Sequence, residues 1–150
     1  MADQPTGKQS QPEWEASSEP ADFPAGIPGF EEHKKFELVS RADLRPFLWL
    51  RSLDDPDVSL PVIDCLLLNR QLLPEISREV LNQIGDPTKE KFDSYCVIRV
   101  DPEAGTITVN TKAPVVISSQ TRRGFQVFLD NPELRLDEPL TNLVPPRKDR

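Results

Sequence analysis

The sequence predicts a mainly β protein, a small antiparallel β-barrel-like domain with one short helix. Three observations carry that expectation. Sixteen prolines in 150 residues is about twice the usual share, which favours many short elements over long helices. Apolar residues recur in short stretches, alternating or continuous, with clusters of Asp, Pro and Gly between them; this is the punctuation of successive strands. Only one segment has helical spacing.

In chain order, residues 1–22 are polar and hold five acids against one lysine, a local net of −4. With Trp14 as their single large apolar side chain they read as a disordered extension. The body, residues 23–140, begins with the turn Gly26-Ile27-Pro28-Gly29. Lys35–Ser40 alternates, with Phe36 and Leu38 on one face. Phe47–Leu53 is apolar on both faces at its start, Leu48 and Leu50 one way, Phe47 and Trp49 the other. Asp54-Asp55-Pro56-Asp57 is a turn on its chemistry alone. Leu60–Leu68 reads as a buried strand. In Pro74–Gly85, Ile76, Val80, Leu81 and Ile84 form one helical stripe, opened by Pro74 and stopped by Gly85-Asp86-Pro87. Tyr95–Val100 and Thr106–Val109 flank the turn 101–105 as a hairpin that sets Cys96, Ile98 and Val100 together. Pro114 interrupts, Val115–Ile117 resumes, and Gly124–Leu129 is the last strand. Residues 141–150, with Pro145-Pro146 and a local net of +2, read as a flexible tail.

The charge excludes some functions. A net of −7 from 25 acids and 18 bases disfavours direct nucleic acid binding, which requires a positive surface, and favours a basic protein partner. No apolar run reaches the ~20 residues of a membrane helix, and residues 1–22 hold no signal-peptide core, so the expectation is a cytoplasmic protein without membrane contact. Cys65 and Cys96 read as two buried thiols in preference to a disulfide. With no CxxC pair and one histidine, no metal site and no cofactor is expected.

Catalytic patterns are absent. His33 lies in a charged run, 31–35, that reads as solvent-exposed. No GxSxG, P-loop or GxGxxG occurs. Asp54, Asp55 and Asp57 lack the bidentate Glu of a calcium loop; acids on a rigid turn suit the steering of a basic partner better. Thr121-Arg122-Arg123-Gly124 is the one compact basic motif, read as a hairpin turn with solvated arginines.

Four segments then carry a resemblance. Phe23-Pro24-Ala25-Gly26-Ile27-Pro28-Gly29-Phe30-Glu31 resembles the opening signature of FliW-type flagellar assembly factors. Pro46–Pro56 resembles the family's aromatic strand and acidic turn. Ala113-Pro114-Val115-Val116-Ile117, with Asn110 three positions before it, resembles its APxVI stretch, and Thr121–Val127 its TRxGxQV segment. Three departures stand out. Residues 13–22 (EWEASSEPAD) replace the usual first strand, which is either degraded or supplied by weak pairing around Trp14. Thr111-Lys112 replaces a commonly apolar pair, and Ser118 stands where Asn is frequent.

The resemblance implies a compact β-barrel-like fold, no enzymatic activity and two protein partners. One is flagellin, bound before secretion. The other is CsrA, a small basic RNA-binding repressor of translation that such factors antagonise, so that partner exchange controls flagellin translation. The expected contact surface is an aromatic face of Phe47 and Trp49 beside Asp54, Asp55 and Asp57, with Asn110 further along the chain, on a monomer. Core packing of Phe47 and Trp49 competes with that reading. The alternative function is a ligand-sensing β-barrel that binds an anionic small molecule, such as a cyclic dinucleotide, near Arg122 and Arg123; a hydrolase using the carboxylates ranks last.

Overall fold

A computed structural model of the chain describes residues 13–17, 19–69 and 76–144. Among these the strands are β1 Trp14–Ala16, β2 Ala21–Asp22, β3 Lys35–Arg41, β4 Leu48–Ser52, β5 Ser59–Asp64, β6 Phe92–Asp101, β7 Thr106–Val109, β8 Val115–Ser118, β9 Gly124–Gln126 and β10 Glu138–Pro139. Two short helices join them, α1 Arg78–Asn82 and α2 Leu140–Leu143. The fold is thus mainly β and antiparallel, with one more helix than the sequence predicts.

The sheet runs β1-β3-β4-β5-β6-β7-β10, with β8 and β9 branching from β6 and β2 pairing β3. β6 is long enough to serve three partners: Phe92–Tyr95 pair with β8, Tyr95–Val97 with β5 and Ile98–Asp101 with β7. The circuit curls back on itself, because Asp22 makes one parallel bridge with Arg123 and its N–H donates to the Arg122 carbonyl at 2.7 Å. A single bridge is a seam and not a ladder, so the sheet is barrel-like without being fully closed.

Period-two alternation sorts β5 and β6 between two cores. Phe23, Phe36, Leu38, Leu50, Val62, Val115 and Ile117 form the first core, with Tyr95 and Val97 packed against it. Ile63, Cys96, Ile98, Val109, Leu68 and Leu143 form the second. β5 and β6 are therefore covered on both faces, which is why they read as continuous apolar runs. The opening turn plugs the first core: Phe23 and Ile27 are buried, and the Phe23 ring meets Phe36 edge-on at 5.3 Å. Gly26 holds φ +71 with the Glu31 backbone where a Cβ would sit, so only glycine fits there.

Several expectations change. The end of the supposed N-terminal extension is structured: β1 pairs Trp14–Ala16 with Val39–Arg41 and β2 pairs Ala21–Asp22 with Lys35–Phe36. Pairing around Trp14, the second alternative above, is what the structure contains; residues 1–12 lie outside the described residues. The run Leu60–Leu68 stops being a strand at Asp64, whose carboxylate accepts from the Leu66 N–H at 2.9 Å and opens a 3-10 turn over Cys65–Leu67. Leu66 and Leu67 are exposed. The helix is one turn at Arg78–Asn82, capped by Ser77 accepting from the Val80 N–H; Pro74 falls outside the described residues. Val100 does not join Cys96 and Ile98 in a core but is exposed beside the hairpin turn. The strand expected over Gly124–Leu129 is three residues, ending at Gln126, and it is not the last, since β10 follows at Glu138–Pro139. The supposed tail begins with a helix that buries Leu143, a contact worth about 2 kcal/mol; residues 145–150 are outside the described set.

Candidate functional site

The acidic turn between β4 and β5 is the best-defined feature of the surface. Ser52, the last residue of β4, is buried, and its Oγ accepts from the N–H groups of Asp54 at 3.0 Å and Asp55 at 3.2 Å. One Asp55 carboxylate oxygen accepts from the Asp57 N–H at 3.0 Å, and the Val58 N–H returns to the Asp55 carbonyl. All three aspartates are exposed. The turn thus holds three negative charges outward on a backbone fixed from beneath.

That fixture explains His33. Its Nδ1 lies 2.8 Å from Ser52 Oγ. Both acceptor positions of Ser52 are taken by N–H groups, so its single O–H donates to Nδ1. The ring is half-buried, near Phe30 and Phe36. The expectation of a solvent-exposed histidine is corrected: the charged run 31–35 also packs its histidine beneath the acidic turn.

The aromatic residues are arranged differently from the expectation. Phe47 packs against the second core and is half-buried, so it does not form an exposed aromatic face with Trp49. Trp49 meets the Trp14 ring edge-on at 5.3 Å and 81°. Arg41, paired with Trp14 across β1 and β3, sets its guanidinium 5.2 Å from the Trp14 ring. Asp43 accepts from Arg41 through both carboxylate oxygens, at 2.7 and 2.8 Å; those hydrogen bonds hold the Asp43 carboxyl below its usual range. The exposed aromatic of this patch is Trp14, at 41%, a residue assigned by sequence to the extension. Four residues separate Trp49 from Asp54, and β4 ends at Ser52; five extended steps of ~3.3 Å span at most about 16 Å. The aromatic patch and the acidic turn are neighbouring features along one strand, not one cluster.

Asn110 stands apart from both. Its Oδ1 accepts from the N–H groups of Lys112 and Ala113, both at 3.0 Å, which turns the chain from β7 into β8. Its visible work is conformational. The two departures nearby are accommodated. Thr111 is buried, exchanging hydrogen bonds with the backbone of Arg135, and the Ser118 hydroxyl donates to Glu90 Oε1 at 2.6 Å.

The arginine pair has local roles. Arg122, at φ +58, donates from Nη2 to the Glu19 carbonyl at 2.6 Å, and Arg123 stacks over Phe125 at 5.9 Å. The two guanidinium groups do not share one target, so the geometry gives no bidentate anion clamp. Among the described residues, no group of three or more His, Cys, Asp or Glu side chains is placed to hold a metal ion. No helix there is long and apolar enough to cross a membrane.

Comparison with known proteins bears on the whole body. The family model described as "FliW protein" matches residues 8–140. A Thermosipho africanus protein named flagellar assembly factor FliW is 37% identical over 122 residues, 79% of this chain and 83% of that one. A protein of the same name from Thermotoga neapolitana is 36% identical over 115 residues, 76% of this chain and 77% of its own. A crystal structure titled as the flagellar assembly factor FliW superposes with a TM-score of 0.70 at 27% identity, covering 81% of this chain and 84% of the other.

Proposed function

The chain belongs to the FliW family, and from that premise we propose that it is a cytoplasmic flagellar assembly factor acting by protein binding, not catalysis. Its two partners are flagellin before secretion and the repressor CsrA, and exchange between them couples flagellin export to flagellin translation. The family match over residues 8–140 carries this reading.

The acidic turn supports one half of it. Three aspartates on a backbone clamped by Ser52 suit a basic partner such as CsrA, since fixed surface charge raises the rate of encounter. The patch of Trp14, Arg41 and Trp49 is the second contact surface, because Trp and Arg dominate the energetics of many interfaces. The Arg122–Glu19 tether disfavours the alternative of an anionic small-molecule sensor.

The test is a pull-down with the chain as bait from a flagellated host, followed by binding of each purified partner. Capture of flagellin and CsrA, each excluding the other, is the expected result. Capture of neither, with sub-micromolar calorimetric binding of a cyclic dinucleotide, overturns the proposal.

A further inference from the structure

The chain has two cysteines, and the contact surfaces described above use neither. The β5–β6 ladder sets Ile63 opposite Cys96 and Asp64 opposite Tyr95. Cys65, one residue on, therefore shares a face with Cys96 on the diagonal. There the chain leaves the ladder, because Asp64 caps the 3-10 turn over Cys65–Leu67. The two Sγ atoms stand 3.3 Å apart, while a disulfide needs about 2.05 Å. The sulfurs have only about 1.2 Å to close, and one of them rides on a turn.

The two thiols are not equivalent. Cys96 is buried in β6, and Cys65 is half-buried on the turn. The Cys65 thiol is held below its usual value, first by the hydrogen bond with Cys96 and also by Ser94, while burial and Asp64 oppose the change. Cys96 is pushed up by the same hydrogen bond and by burial. Cys65, the more accessible of the two and carried on the turn, is thus the sulfur that a small solute meets first, with Cys96 behind it in β6. Both line one cavity of about 710 Å³, with Arg78, Phe92, Ser94 and Thr111 in its wall, which has ample room for a molecule the size of hydrogen peroxide.

We propose that Cys65 and Cys96 form a reversible oxidation site whose substrate is hydrogen peroxide, with Cys65 as the attacking sulfur and Cys96 as the resolving one. The Cys65 thiolate attacks one peroxide oxygen and the O–O bond breaks. The far oxygen leaves as hydroxide, takes a proton and becomes water, and Cys65 is left as a sulfenic acid. The Cys96 sulfur then attacks the Cys65 sulfur and the S–O bond breaks. The leaving hydroxide takes the proton that Cys96 gives up, forming a second water. Two thiols lose two electrons and the peroxide gains them. The new bond fastens the turn bearing the exposed Leu66 and Leu67 to β6, and a small dithiol reductant reverses it.

The test uses the full chain, reduced, exposed to hydrogen peroxide, alkylated without reductant and mapped by mass spectrometry. The expected result is a peptide pair linked through Cys65 and Cys96 with two hydrogens lost. Titratable thiols fall from two per chain to none and return with dithiothreitol. In Cys96→Ser, dimedone traps a sulfenic acid at Cys65; in Cys65→Ser, Cys96 stays reduced. The mapping of the unaltered protein decides the matter even if either variant misfolds. Two free thiols after a treatment that oxidises glutathione overturn the proposal. So do a Cys65 sulfinic acid beside a reduced Cys96, and disulfides that join separate chains.

Discussion

Ser52 is the residue through which sequence acts most directly on the candidate surface. Buried beneath the acidic turn, it accepts two N–H groups and donates to His33. Ser52→Ala leaves those groups without their partner and is expected to cost about 1–3 kcal/mol, read as a lower urea midpoint with faster amide exchange at Asp54 and Asp55. Gly124 is a second such position. A Cβ there would lie 2.5 Å from the Phe23 ring, so two of the family-like segments are fitted face to face in the first core. Gly124→Ala is expected to destabilise by about 1–3 kcal/mol through overpacking, visible in thermal unfolding. Glu90 couples stability to pH. Its carboxyl is held below the ordinary glutamate value of 4.5, first by the Ser118 hydroxyl and then by the Asp86 amide. A depressed carboxyl favours the fold while ionised, so its contribution is full above that value and is lost as pH falls through the folded one. Glu90→Gln is expected to flatten the acid limb of stability against pH, measured by urea titrations from pH 6 downward.

Elements with strong periodicity or strong turn chemistry were legible in the sequence. β3 alternates with Phe36 and Leu38 inward, and the β6–β7 hairpin turns where Asp101 accepts from the Glu103 and Ala104 N–H groups and Gly105 holds φ +68. β1, β2 and β10 were not legible. They are two or three residues long, and their pairing comes from the neighbouring strand, not from any pattern of their own. The same limit hid part of the candidate site. Trp14 looked like an isolated aromatic in a polar tail until β1 set it beside Trp49 and Arg41. His33 looked exposed because its neighbours in sequence are charged, while its neighbours in space are Phe30, Phe36 and Ser52. The acidic turn was legible because Asp and Pro dictate it locally. The Trp14–Trp49 pair makes β1 measurable, as these are the two tryptophans of the chain. Trp14→Ala is expected to red-shift the remaining Trp49 emission, now more hydrated, and to cost about 1 kcal/mol of stability.

At the scale of the whole molecule, the acidity is the property a partner meets first. Replacing Asp54, Asp55 and Asp57 by Ser moves the net charge from −7 to −4 while leaving the Ser52 fixture in place. Association with CsrA at low salt is expected to slow about tenfold, with a shallower salt dependence and a smaller change in dissociation. Unchanged association rates measured by surface plasmon resonance would remove this turn from the interface. The curled sheet carries another whole-molecule consequence. β1 and β2 together occupy one flank of β3, whose other flank is taken by β4. A chain begun at Phe23, where the signature-like segment starts, strips that flank and leaves the seven residues of β3 as a bare template for strands of other copies. Such a chain is expected to aggregate with rising concentration, because the short N-terminal strands act as a built-in guard against edge-to-edge self-association.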